Sequence, residues 1–363
     1  MLPFPKKLDK YIMKKFLLTF IVALVLIIGI VIIFDLSEKI DGFVSKHAPL
    51  KAIIFDYYLN FIPYFVNMFS PLFVFITVIF FTSRLTANSE FVAILSCGVN
   101  YHRMMIPYLV SAAIIAAFSL VMNFWVIPDA NNTRLAFEQQ YVKKKNLALD
   151  RNIHYKLEGD TFVYVESFSP ATNTAYRFTL EDMSDYKLRS KLSAETATWD
   201  SVACCWKLRN YMIRNYGSGL TDDVRTGEKI DTVLSLTVDD FYINQRTVQM
   251  LRLGDLKKLI QMQRERGDAM VMYAEIEYND RMAMPFSAFI LTIMGVSLST
   301  KKRRGGIGWN IAIGIALSFT YILFMRFSQM FVFAGVLSPS IAIWLPNILY
   351  AIVAAVLYKI APK

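Results

Sequence analysis

Charge is scarce in this chain: Asp, Glu, Lys and Arg make up 19% of its 363 residues, against about 25% in an ordinary soluble domain. With 55% hydrophobic residues beside it, that scarcity excludes a soluble globular protein and leaves a membrane protein. Histidine is scarcer still. His47, His102 and His154 are dispersed, which argues against a histidine-built metal site. The three cysteines supply no disulfide framework, because Cys97 stands alone and Cys204 and Cys205 are adjacent, a spacing that rarely closes a relaxed bridge. Packing is their expected role. No G-x-x-x-x-G-K-S/T loop, H-E-x-x-H or G-x-S-x-G occurs, so phosphate-loop, zincin and nucleophile-elbow chemistry are not expected of this chain.

What is abundant is apolar sequence, and it is clustered. Phe16 to Phe34, Tyr57 to Ser83, Met104 to Ile127 and Met282 to Thr300 lack any charge, and each approaches the roughly 20 residues that cross a bilayer as a helix. Gly305 to Met325 is a fifth run. The stretch after Arg326, interrupted by Gly335, Leu337, Ser338 and Pro339, holds a turn and a sixth span. The first run has no small-residue cleavage pattern after it and reads as a retained span.

Basic residues orient the spans. The segments around Lys6 to Lys15, Arg84 to Arg103, Lys301 to Arg304 and Lys359 to Lys363 fall on one side and carry thirteen Lys or Arg; the opposite short connections carry three, Lys39, Lys46 and Lys51. The positive-inside rule places both termini in the cytoplasm. The net charge of +10 is then mostly a topological signal.

Between spans two and three, Ser83 to Arg103 is too polar for lipid and too short for a domain. Phe91, Ile94, Leu95 and Val99 recur at three- and four-residue steps, the stripe of a short helix, with Asn88 or Ser89 as N-cap and Gly98 as C-cap. Such a helix is either a passive interfacial element or a dock for a soluble partner. Residues 35 to 56 read as an outer connection with solvated charges. Asn131 to Lys145 reads as a polar helix, and from about Ile153 short alternating strands follow: Thr161 to Phe168, Ala175 to Leu180, Leu192 to Trp199, Cys205 to Tyr211 and Thr232 to Val238. Pro170 and Gly217-Ser218-Gly219 are among the breaks between them. Leu253 to Arg266 returns to helical spacing. The expected domains are residues 1–127 with three spans and a coupling helix at about 84–98, residues 128–268 with an all-β module and flanking helices, and residues 269–363 with three more spans.

Glu275, Glu277, Asp280 and Arg281 enter span four together, as an interfacial cluster or a proton relay. Arg326 lies inside an apolar run and must snorkel, pair with an acid or face a polar cavity. A transporter subunit, a non-transporting envelope sensor or scaffold, and an intramembrane enzyme all fit the layout; no paired carboxylates or metal spacing inside the spans favour the enzyme.

The combination resembles the LptF/LptG permease family of bacterial lipopolysaccharide export. Its cytoplasmic R-x5-E-x7-G pattern is matched by Arg84, Glu90 and Gly98, and its R-x3-P pattern by Arg281 and Pro285, followed by the basic loop and Gly305-Gly306. Leu345-Pro346-Asn347 is similar to the family's ending, and Leu8-Asp9-Lys10-Tyr11 with Asn152 to Glu166 looks more LptG-like than LptF-like. The resemblance implies an α-helical inner-membrane protein of six transmembrane helices with an inserted, jellyroll-like periplasmic β domain. It also implies pairing with an LptF-like paralogue on an LptB-like ATPase dimer, and hand-off of lipopolysaccharide to LptC-like and LptA-like bridge proteins. No cofactor is implied for this chain; ATP is used by the partner. Arg84, Glu90, Phe91, Ile94, Leu95 and Gly98 are the expected ATPase-coupling residues. The family's basic cluster at the outer end of span one is reduced here to Lys39, so Lys39, Arg134 and Arg326 are the expected lipid-phosphate ligands.

Overall fold

A computed structural model describes residues 7–142, 150–157, 159–184, 187–217, 222–242, 245–268, 270–300 and 306–361. The expected basic loop at Lys301 to Arg304, Gly305, Lys143 to Lys145, Ser218, Gly219, Lys6 and Lys363 lie outside them. The chain divides into two units, one of residues 1–142, 249–253 and 275–363, the other of residues 143–248 and 254–274.

In the first unit, α1 (Lys7–Ser45), α2 (Leu50–Ala52), a π-helical segment Ile53–Tyr58 and α3 (Leu59–Ala87) lead to the short α4 (Glu90–Ser96). Then α5 (Tyr101–Val121) runs through a second π segment, Met122–Val126, into α6 (Ile127–Tyr141). Among the described residues six helical stretches are long and apolar enough to cross a membrane: α1, Leu50–Ala87, Tyr101–Tyr141, α9 (Val271–Ser299), Gly308–Phe333 and α11 (Pro339–Ile360). The six expected spans are present.

The first span is much longer than its apolar run. The helix α1 has 39 residues, about 58 Å at 1.5 Å per residue, so it extends well past the roughly 30 Å hydrocarbon core. Its last turns take up much of the segment read from sequence as a solvated connection. Polar side chains at this end are held by partners on other helices, which keeps the helix from fraying where its apolar run stops.

One end of the bundle is fixed by polar contacts. Arg103 clamps Asp9 through Nη1 to Oδ1 at 2.8 Å and Nη2 to Oδ2 at 2.5 Å. Thr86 donates to the Ser299 carbonyl at 3.0 Å, and Tyr358 meets His102. These contacts gather the start of α1, the ends of α3, α9 and α11 and the start of α5 around α4, so successive spans alternate in direction. Prolines inside the spans leave carbonyls without their helical donor. Pro346 does so to Ala342, and the Ser328 hydroxyl donates to that carbonyl from α10 (Gly306–Phe333), binding two spans together.

The second unit holds an antiparallel sheet whose strands pair in chain order: β1 (Asp150–Lys156), β2 (Thr161–Ser169), β3 (Thr174–Asp182), β4 (Ser190–Asp200), β5 (Cys205–Asn215) and β6 (Asp223–Thr232). A 3-10 turn Val238–Tyr242, α7 (Gln245–Val248) and α8 (Leu253–Glu265) follow. The expected strand Thr232 to Val238 is a correction. Pairing with β5 instead uses the polar stretch 223–232, which lies mostly exposed as a sheet edge, while Leu236 leaves the ladder to enter the core and accept the Trp206 indole N–H at 2.8 Å. Edge strands are commonly polar, which hides them from a search for apolar alternation. The strand β1 has no counterpart among the sequence-read strands.

The inward face of the sheet changes parity along one transverse row. Inward residues are two apart within each half, as in Val163 and Val165 or Leu192 and Ala194, but three apart across the row: Val165 to Phe168, Phe178 to Ala175, Ala194 to Ala197. The row itself is Asn152, Glu166, Arg177, Glu195, Asn210 and Glu228, between the pairs Ile153↔Val165 and Arg151↔Ser167 and their continuations. Pairing steps by two on both strands, so no residue is inserted. Instead Asn152, Arg177 and Asn210, on alternate strands, have φ of 57°, 51° and 51°. A left-handed residue turns the peptide over and reverses which face the next side chain takes. Asn accepts this readily; Arg177 does so at a cost of about 1–2 kcal/mol and reaches Glu166 at 2.9 Å.

Candidate coupling helix and lipid-binding residues

The seven residues of α4 follow α3 through a turn in which Ser89 has a φ of 60° and its side chain makes no capping bond. Gly98 ends the element at a φ of +84°, with its N–H donating to the Leu95 carbonyl at 2.9 Å. That conformation is open to glycine without strain and accounts for Gly98 at this place. Glu90 lies in the first turn and accepts from Asn88 Nδ2 at 3.2 Å. Arg84 is exposed on the last turn of α3.

The apolar stripe has an inward destination. Phe91 is 1% exposed and sits edge-on to Tyr101 at 6.5 Å, with Ile94 and Leu95 packed against the same cluster. A stripe of this kind reports that one face is covered, and here the cover is the chain's own bundle. The outward face of α4 consists of Val92, Ala93 and Ser96, followed by Cys97.

At the other end of α1, Lys39 is enclosed. Its Nζ lies 2.8 Å from Asp35, one turn earlier, and 3.5 Å from Glu138 on α6, and it donates to the Tyr57 hydroxyl. That hydroxyl donates onward to Asp35 Oδ2 at 2.8 Å. Phe43, Phe137 and Tyr141 surround Tyr57 and the end of α6 with ring contacts of 4.7 to 5.8 Å. Aromatic side chains concentrate in this way where a span meets the interface. The i, i+4 spacing of Asp35 and Lys39 was legible in the sequence; Tyr57 and Glu138, 18 and 99 residues from Lys39, were not.

Arg134 and Arg326 differ from Lys39 and from each other. Arg134 is 8% exposed, its guanidinium lies 5.1 Å over the Tyr64 ring, and its Nε is buried without a hydrogen-bond partner. Arg326 is exposed on α10, 3.5 Å from Gln329 Oε1 and 3.9 Å from Met68 sulfur. Neither forms a salt bridge among the described residues. The Gln329 amide donates to Asp280 at 2.8 Å, whose second oxygen is buried and unpartnered. Arg281 is 3% exposed and bonded to Glu277 at 2.8 Å and to the Leu251 and Gln249 carbonyls at 2.7 and 3.2 Å. Arg281 is therefore tied into the first unit's own packing, whereas Asp280 and Arg326 border a common narrow recess with Tyr321 and Met284.

No individual curated protein matches the sequence. A family model described as "Lipopolysaccharide export system permease LptF/LptG" matches residues 10–360. With six membrane-crossing helices and an inserted antiparallel sheet matched over nearly its whole length, this chain is a multi-pass membrane protein that belongs to the LptF/LptG lipopolysaccharide export permease family.

Proposed function

We propose that this chain is the transmembrane permease subunit of an ABC-type exporter that extracts lipopolysaccharide from the inner membrane and passes it to a periplasmic bridge. The α4 end of the bundle faces the cytoplasm, in line with its excess of basic residues, and the sheet unit is periplasmic. ATP is hydrolysed by an LptB-like dimer, an LptF-like paralogue completes the permease, and LptC-like and LptA-like proteins take the lipid onward. The observation that carries this reading is α4 itself: a short helix between two spans, anchored inward by Phe91, with Val92, Ala93 and Ser96 outward, Glu90 half-buried in its first turn and Arg84 exposed on the last turn of α3 before it.

Charge-assisted contacts of a carboxylate typically contribute a few kcal/mol to an interface. Glu90→Lys is therefore expected to reduce co-purification of the ATPase by at least tenfold in mild detergent while the chain still inserts. Unchanged co-purification would remove Glu90 from the coupling contact. On the lipid side, two of the three expected ligands, Arg326 and Arg134, form no salt bridge among the described residues, and the third, Lys39, must first leave its acids. Burial of an unpaired guanidinium is costly, and an incoming phosphate offsets that cost. A photo-crosslinker at Phe327, beside Arg326, is expected to capture lipopolysaccharide, and Arg326→Glu to lower lipid-stimulated hydrolysis by the assembled complex without changing its basal rate.

A further inference from the structure

The spans α9 and α10 each bring a charged side chain toward the end of the bundle away from α4. Asp280 stands just before the apolar run that begins at Met282, and Arg326 lies about two turns before the end of α10. Both border one narrow recess of about 30 Å³, with Met68, Met284 and Tyr321 among its other walls. They form no ion pair with each other. The Gln329 side chain lies between them, its amide nitrogen donating to Asp280 Oδ2 at 2.8 Å and its Oε1 facing Arg326 Nη1 at 3.5 Å. Asp280 Oδ1 is buried without a hydrogen-bond partner, a costly condition for a carboxyl group. Glu277, one turn earlier, is engaged by Arg281 at 2.8 Å, so that arginine does not serve Asp280. The recess therefore presents an acceptor without a donor and, one amide away, a guanidinium with no salt bridge among the described residues.

We propose that this recess binds the head of a zwitterionic aminophospholipid, with its primary ammonium on Asp280 and its phosphate on Arg326. The charges set the ligand class. A lone anion would meet Arg326 and leave Asp280 Oδ1 unanswered, and a lone cation would enter beside an unneutralised guanidinium. A head that carries both signs a few bonds apart meets both groups, and joining the two contacts in one ligand makes the second nearly intramolecular. The orphan oxygen narrows the class further. It needs an N–H, which a primary ammonium supplies and a trimethylammonium does not. The space admits a group or two of water size, which leaves no room for three methyl groups. Met68, Met284 and Met325 wall the recess, and their flexible side chains shift readily around the smaller group. The level is that of a lipid head, because Asp280 lies at the edge of an apolar run and a guanidinium near the end of a span reaches headgroups by snorkelling. Phe327 and Met330, exposed on α10, offer the tails an apolar track. The site shares Arg326 with the exporter reading but does not rest on it, since the bound lipid is a resident of the bilayer and not the cargo.

The test uses the full chain in its assembled complex, reconstituted with equal amounts of phosphatidylethanolamine and phosphatidylcholine of the same acyl chains. The complex is released into mild detergent and the lipid that stays bound is identified by native mass spectrometry. Wild type is expected to retain phosphatidylethanolamine about tenfold over phosphatidylcholine. The two lipids share their phosphate and tails, so the Arg326 contact cancels in the ratio and the ammonium contact alone sets it. Asp280→Asn, which keeps shape and removes the charge, is therefore expected to bring the ratio to unity. Arg326→Gln is expected to lower retention of both lipids and leave the ratio in place. A wild-type ratio of unity overturns the proposal whether or not the variants assemble. So does a ratio that survives Asp280→Asn, or retention that Arg326→Gln leaves unchanged. Free phosphoethanolamine added in equal amount is expected to displace neither lipid; displacement would make a soluble head the ligand and overturn the bilayer as its source. Lipopolysaccharide capture at Phe327 beside a ratio of unity ends this proposal and leaves the exporter reading intact. A ratio that depends on Asp280, without that capture, keeps this site and removes Arg326 from the cargo path.

Discussion

In α9, 67% of the most apolar stretch is buried within the chain, whereas in α1 the figure is 17%, although α1 is the more apolar of the two. The inversion follows from the solvent. Lipid accepts any apolar side chain, so a span that faces it can be uniformly aliphatic, as Leu18, Val22, Val25, Leu26 and Ile33 are on α1. A span packed among others draws instead on close approach and internal polar contacts. On α9 these are Gly295 against Val78 and Phe75, and Ser287 and Ser297 bonded to their own helix carbonyls. Apolar content thus locates a span but runs opposite to how much of the fold depends on it.

Four substitutions can break or sharpen that contrast. The largest effect is expected from Arg281→Met on α9, which strands Glu277 and two carbonyls and should cost about 3–5 kcal/mol, read as a lowered thermal midpoint in detergent. Next comes a matched pair: Leu291→Ala at 0% exposure should cost about 2–5 kcal/mol, and Leu26→Ala at 65% exposure within about 0.5 kcal/mol. Equal losses would show that α1 is covered in the isolated chain. Third, Gly295→Leu forces a side chain into a gap where even a Cβ meets Val78 Cγ1 at 2.9 Å, and should cost about 1–3 kcal/mol.

The smallest effect lies in the sheet unit, where an exposed ion pair contrasts with the buried Arg281 group. Lys207 beside it, with help from the Val202 and Ala203 N–H groups, draws the Asp200 carboxyl down to about 2. Since this lies below the usual carboxylate value near 3.9, its contribution is present above about pH 4 and lost as pH falls through 2. Amide exchange in the turn after Asp200 should be faster in Asp200→Asn than in wild type at pH 7. The two should converge between pH 4 and 2.

Much of the architecture was legible because it rests on runs and periods. Uncharged stretches marked six spans, and alternation in Thr161 to Phe168 or Leu192 to Trp199 marked strands that the sheet contains. Where pattern and partner separate, the sequence was silent. The exposed strand β6 carries no apolar alternation, and Leu236 is buried outside any strand. The stripe of α4 revealed a buried face without revealing that its cover is Tyr101 and the surrounding core. Lys39 showed its charge but not the acids around it, because Glu138 comes from the far end of another span.

The reversed parity of the sheet has a consequence for anything that lengthens it. A strand laid along the outer edge of β1 or β6, whether from this chain or another, inherits the template's two halves, in which opposite positional parities face inward. An ordinary strand with apolar residues at every second position would match one half and present its apolar side chains to water in the other. Only a sequence with a three-residue step at the row of Asn152 and Asn210, and a residue there that fits the turned-over backbone, can extend both halves at once. The crease therefore acts as a spelling rule, screening strands by where their pattern stumbles, independently of the side chains they carry.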